Sequence, residues 1–314
     1  MTASTAMNTN TSVEALAGET LKSRIVAFAR AASTEISPHD EELLPALVNK
    51  LPAGMTVYVA HTPKASLDDV VRIAIKTQRL GFRASPHIVA RRLESERALR
   101  AALGELAEAG VEQVLYVAGD REQPLKFAST LEVIDTGATV DAGIKHLAVA
   151  GHPEGHRHAG PAALLAALKH KQAFAEKTGT KVHIATQFGF NPEGFCSWAE
   201  HLVEQGITLP VHVGIAGPTP LQKLIKFAMA CGVGASLGSL MKNMSAMTNL
   251  ARMKTGPDEM MAGILHCAAS GSTRIVQPHI YAFGGVMATA TWLRAVQDGS
   301  FELQSDSDKF LMNA

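Results

Sequence analysis

Eight short apolar runs, each followed by a stretch with helical periodicity, constrain this chain more than any other feature. They are STEIS (33–37), TVYVAH (56–61), SPHIVA (85–90), EQVLYVAG (112–119), KHLAVAG (145–151), KVHIATQF (181–188), PVHVGIAG (210–217) and RIVQPHIYAF (274–283). Brief β-branched runs bounded by Gly, Pro or polar residues read as buried strands. Parallel neighbours need a crossover that a helix supplies, so strict strand–helix alternation implies a parallel sheet. Eight such units predict an α/β fold, a (β/α)8 TIM barrel, as a single domain over residues 21–314. The rival is an open doubly wound sheet, but no GxGxxG follows the first strand. Residues 1–20 are polar and Thr/Asn/Ser-rich, and disorder is expected there.

The stretches between the strands carry start and stop signals. Ser66 with Asp69 fits a capping box that opens a helix running to about Arg79. Leu99, Ala102, Leu103 and Leu106 make one apolar stripe, and Gly110 stops it. Asn191-Pro192 and Thr219-Pro220 each place a cap residue before a proline at the first helical position. Residues 236–270 form a helical insertion before strand eight, and its Met241, Met244 and Met247 read as packing. The formal net charge is +0, so no global field draws in nucleic acid or an anionic membrane. Three scattered cysteines without a CxxC pair read as reduced, buried thiols. With no secretory leader and no long apolar run, a cytoplasmic location is expected.

In such barrels the chemistry gathers at the C-terminal ends of the strands. Glu35, His87, Gly119-Asp120, His152 to His156 and Gln187 all stand there, and Phe227 lies on the helix after strand seven. By alternation Glu35 points opposite to Thr34 and Ile36, which would set it inside or at the mouth of the barrel. A carboxyl there resists ionisation, which suits a general acid, although a structural ion pair reads equally well. Asp120 fits a helix cap or a functional carboxylate. Gln187 fits an exposed strand end or an amide that reads a hydrogen-bonding edge. Phe227 lies beside the core stripe of its helix and can pack on a neighbour or cover a flat ligand. His152 and His156 have the i, i+4 spacing of a helical zinc pair, but Pro153 and Gly155 break that helix. No metal is assigned. A polar loop facing an organic ligand fits better.

PHI (86–88), GD (119–120), PEGH (153–156), ATQFGF (185–190) and VGIAGPTPLQKLIKFA (213–228) follow one another in an order that resembles methylenetetrahydrofolate reductases. The likeness spreads from TEISPHD (34–40) to the last strand. It implies a (β/α)8 barrel that interconverts 5,10-methylenetetrahydrofolate and 5-methyltetrahydrofolate, with NADH or NADPH as hydride donor and FAD as bound cofactor. On that resemblance Glu35 is the general acid, and Asp120 is the carboxylate that stabilises the cationic iminium. Gln187 and Phe227 contact folate and nicotinamide, as Asp120 does folate. His87, Gly119, Asp120, His152, His156 and Lys171 contact the flavin. A tetrahydrofolate substrate and a homo-oligomer are implied in the same way.

Several positions depart from the family pattern. Ala118 stands where many relatives have arginine, His152 where they have tyrosine, and Leu164 near an expected aspartate. FGFN replaces an FFFD-like run, and Phe283-Gly284-Gly285 replaces a Leu-Asn-Arg-like strand end. The catalytic set survives better than the cofactor set. One alternative is therefore direct hydride transfer without flavin; because sequence does not set direction, oxidation of 5-methyltetrahydrofolate in a demethylation pathway is another. A folate- or flavin-binding protein without turnover is the alternative from another class.

Overall fold

The computed structural model describes residues 20–156, 158–231, 254–255, 257–269, 271–303 and 310–312. Eight parallel strands close into a barrel in sequence order. They are β1 Ser33–Ile36, β2 Thr56–Val59, β3 Arg83–Val89, β4 Gln113–Val117, β5 His146–Gly151, β6 Lys181–Gly189, β7 Val211–Ala216 and β8 Ile275–Tyr281. Ser33 pairs with His279 to shut the barrel. The outer ring includes α1 Leu21–Arg30, α2 Leu44–Val48, α3 Leu67–Arg79, α4 Glu96–Glu108, α5 Thr130–Asp135, α6 Ala138–Asp141, α7 Pro161–Thr178, α8 Pro192–Glu204, α9 Leu221–Cys231, α10 Asp258–Ala268 and α11 Val286–Gln297. No described helix is long and apolar enough to cross a membrane.

Outward strand residues such as Val57, Val59, Ile88, Val114, Val149, Val213 and Ile280 join the helix stripes in one apolar layer. Burying each of these side chains contributes about 1.5–3 kcal/mol. The α4 stripe of Leu99, Ala102, Leu103 and Leu106 is buried, and Gly110 ends that unit at φ +80°. Ser66 and Asp69 form the expected capping box, with Asp69 N–H donating to Ser66 Oγ at 3.1 Å. Asn191 caps α8 by accepting from Gly194 N–H at 3.2 Å.

Two local expectations need correction, and a third falls mostly outside the described residues. Thr219 and Pro220 form a two-residue antiparallel bridge with Lys254–Thr255, so α9 starts at Leu221, and the Thr219 hydroxyl is buried without a partner among the described residues. Cys196 of α8 and Cys267 of α10 do not stay apart as unpaired thiols. The packing of α10 on α8 brings them together as a disulfide pair with Cα atoms 6.1 Å apart. Within 236–270, the helix α10 is described and buries Met260 and Met261, while Met241, Met244 and Met247 lie outside the described residues.

Strict alternation also fails in β6. The β6–β7 register slips between Ala185 and Phe188, so β6 carries an extra residue there. Thr186 Oγ accepts from Gly214 N–H and donates to the Gln187 carbonyl, both at 2.8 Å, which pins the bulge. Gly214 is obligatory, because a Cβ would stand 2.5 Å from the Gln187 oxygen. Bulges re-aim side chains beside active sites. This one turns Phe188 inward to meet Phe283 at 4.7 Å, where alternation alone would send it outward.

Candidate active site

The C-terminal mouth of the barrel collects Glu35, His87 and Gln187 from β1, β3 and β6. Glu35 keeps a little accessible surface at the mouth, but its carboxyl is enclosed. Burial pushes its pKa up to about 8, and the neighbouring Asp40 charge adds to the rise. Asp40 is held in place by the Ser37 N–H and hydroxyl, which donate to it at 2.8 and 2.7 Å. Glu35 therefore carries its proton at neutral pH, ready to donate. The ion-pair reading is not met, since the charge that acts on Glu35 is another carboxylate.

His87 Nε2 and Gln187 Nε2 are buried here without a partner among the described residues. Leaving such groups unsatisfied costs about 1–3 kcal/mol each, so they are placed for a ligand or for water. Burial drives His87 down to about 3, with repulsion from His61 adding, so its ring is neutral. A neutral ring hydrogen-bonds a ligand without opposing a positive charge on it.

One wall of the mouth is aromatic. Phe227 stacks on Phe283 at 4.7 Å and 29°, and Phe283 lies parallel to Tyr281 at 5.7 Å. The Tyr281 hydroxyl donates to the Thr186 carbonyl at 2.7 Å, which ties this wall to the bulge. Phe283 has φ +46°, a left-handed conformation that costs a bulky residue of order 1–3 kcal/mol. Such strain persists only where packing over-determines it, and here three rings hold Phe283. The sequence singled out Phe227 but read Phe283 only as a departure. The signal that could have found it is an aromatic directly before Gly284-Gly285 at a strand end.

Asp120, and His152 with Lys171, line two further cavities. Asp120 lines a rim cavity of about 480 Å³ with His61 and Arg92. It is 78% exposed and pairs with Arg92 at 3.2 Å, so it is not a helix cap. Arg92 is anchored by the carbonyls of Thr62 at 2.8 Å and His61 at 3.4 Å. Its cation adjoins the loop in which Ala118 lacks one, and the sequence reading missed it. Gly119, at φ +88°, is pressed against Val89, where a Cβ would collide. His152 and Lys171 share a separate, mostly apolar cavity of about 350 Å³ between α7 and α8. Lys171 is 5% exposed with no ion pair among the described residues, and burial lowers it to about 8. Burial, with repulsion from His156 and Lys171, lowers His152 to about 4. The His152 and His156 rings meet edge to face at 4.8 Å. Among the described residues no three His, Cys, Asp or Glu side chains converge as metal ligands do.

The family model for methylenetetrahydrofolate reductase matches residues 39–294. The chain belongs to that family. Similar solved structures include an uncharacterized protein from Clostridium thermocellum that binds two copies of 5-methyl-5,6,7,8-tetrahydrofolic acid. It is 12% identical, with a TM-score of 0.55 over 87% of this chain and 97% of that one. A mutant tryptophan synthase α-subunit from Pyrococcus furiosus is also similar, at 12% identity and TM-score 0.48 over 86% and 97%. At such identity the likeness is one of fold.

Proposed function

We propose that this methylenetetrahydrofolate reductase family member interconverts 5,10-methylenetetrahydrofolate and 5-methyltetrahydrofolate, with NADH or NADPH as hydride donor. The observation that carries the reading is Glu35, a carboxyl kept protonated at neutral pH by its enclosure in the barrel mouth. Opening the methylene-bridged ring of the folate needs a proton on the departing nitrogen. Glu35 supplies it and leaves the reactive iminium. Asp120 stabilises that cation through space, and Arg92 holds the carboxylate in place. Gln187 offers its unpaired amide to the folate or nicotinamide edge. The Phe227–Phe283 wall covers the flat ring and excludes water. The folate ligand of the Clostridium thermocellum protein agrees with this substrate class.

The chain's residues fit a flavin. A His87 nitrogen and a buried lysine, neither with a partner among the described residues, suit a flat ligand with phosphate groups. His87, Gly119, Asp120, His152, His156 and Lys171 would hold FAD, which when bound relays hydride between nicotinamide and folate. The second reading is direct hydride transfer without flavin. It is favoured by the separation of Asp120 and Lys171 into different cavities, and by Arg92 being engaged with Asp120. Purified protein assayed anaerobically for NADH oxidation with methylenetetrahydrofolate, with and without FAD, separates the two. Flavin-dependent turnover supports the first and flavin-independent turnover the second. No turnover in either arm, nor with 5-methyltetrahydrofolate and NAD, removes both.

A further inference from the structure

The opposite end of the barrel holds a feature that the folate chemistry does not use. Barrel interiors are normally packed with branched apolar side chains, and the N-terminal face serves stability. Here the first residues of the strands leave a cavity of about 460 Å³, within the range that holds small molecules. Its wall is polar and organised. Gln113 donates to the Tyr58 hydroxyl at 3.2 Å and to Ser85 at 3.0 Å. The Tyr58 hydroxyl lies 2.8 Å from His183 Nε2. His212 stacks on His183 at 3.8 Å and 22°, and its Nδ1 is buried without a partner among the described residues. Burial, with repulsion from His183 and His279, keeps His212 neutral, and burial, with repulsion from His146, keeps His183 so, so neither ring brings a charge of its own to the cavity.

The rim sets the sign of the ligand. Arg83 and Lys181 line the opening, and His146 between them also feels Lys145. Glu112 is the carboxylate in that field, and Lys145 already pairs with it. The surplus of charge at the rim is positive. We propose that this cavity binds a small organic anion, a carboxylate or phosphate ester, at the face of the barrel opposite the catalytic mouth. The charged group meets Arg83 and Lys181, and the body of the ligand enters against the His183–His212 pair.

The test is calorimetric titration of the full chain with malonate and, separately, inorganic phosphate, which distinguishes a carboxylate from a phosphate site. At least one probe binds the wild type at millimolar concentration. An Arg83→Ala/Lys181→Ala double variant, altered only at the rim, weakens it about tenfold or more, which is about 1.4 kcal/mol. His212→Phe keeps the rim charges and the stacked ring but removes the nitrogen, and also weakens binding. The proposal is overturned if neither probe binds the wild type, or if the double variant binds as tightly. It is equally overturned if a folded His212→Phe protein binds undiminished, because the anion then sits on surface charge. The readout is binding, so failure of the folate reading leaves it untouched.

Discussion

Replacing Glu35 with Gln separates the acid's role in catalysis from its cost to stability. The carboxyl has an ordinary value of 4.5 and is raised to about 8 by burial and by Asp40. Below pH 4.5 it is protonated in both folded and unfolded chains, and pH has no hold on it. As pH rises from 4.5 toward 8, the unfolded chain releases this proton while the folded chain keeps it, so stability falls. Each pKa unit is worth about 1.4 kcal/mol, so the full loss is about 5 kcal/mol, reduced where water reaches the mouth. Glu35→Gln removes the titration. Urea unfolding of both proteins at intervals from pH 5 to pH 8.5 reads the difference directly. The variant is nearly as stable as wild type at pH 5 and gains about 3–5 kcal/mol on it by pH 8.5. Turnover is abolished throughout, and wild-type activity falls as pH passes about 8. A stability difference that stays flat with pH would mean that Glu35 ionises normally and cannot serve as the acid.

Asp120→Asn leaves stability within about 1 kcal/mol, because its pair with Arg92 is largely exposed on the aspartate side. It lowers kcat by about 10²–10³, a split that steady-state kinetics beside a melting curve reveals. Gly214→Ala sets a methyl group against the Gln187 oxygen and costs about 1–3 kcal/mol by denaturant unfolding. It also raises KM for folate, since Gln187 is re-aimed. Lys171 has a depressed pKa of about 8, so its burial penalty is absent above the ordinary value of 10.5 and complete below 8. Lys171→Met is therefore more stable than wild type at pH 7, by up to about 3 kcal/mol, and no different above pH 11. The same variant binds FAD more weakly in a fluorescence titration if the flavin reading holds.

The barrel was legible because its signals are local. Every apolar run became a strand, and Ser66, Gly110 and Asn191 acted through contacts within a few residues of themselves. Glu35 was legible for the same reason, since a carboxyl at an inward position of a buried strand has only one environment open to it. What the sequence hid is set by pairs distant along the chain. The β6 bulge depends on Gly214 giving its N–H to Thr186, 28 residues away. Arg92 reaches Asp120 only because the ends of β3 and β4 are adjacent. Lys171 joins His152 through the packing of α7 on the strand-five loop, which no spacing announces. Cys196 and Cys267 meet across 71 residues for a similar reason.

The central claim is that the barrel mouth moves hydride to the one-carbon unit of folate with Glu35 as proton donor. Product analysis by mass spectrometry tests it most directly, after anaerobic incubation of the protein with methylenetetrahydrofolate, NADH or NADPH, and FAD. The expected result is 5-methyltetrahydrofolate from the wild type and none from a folded Glu35→Gln protein. Absence of product from the wild type, or equal product from the variant, would contradict it.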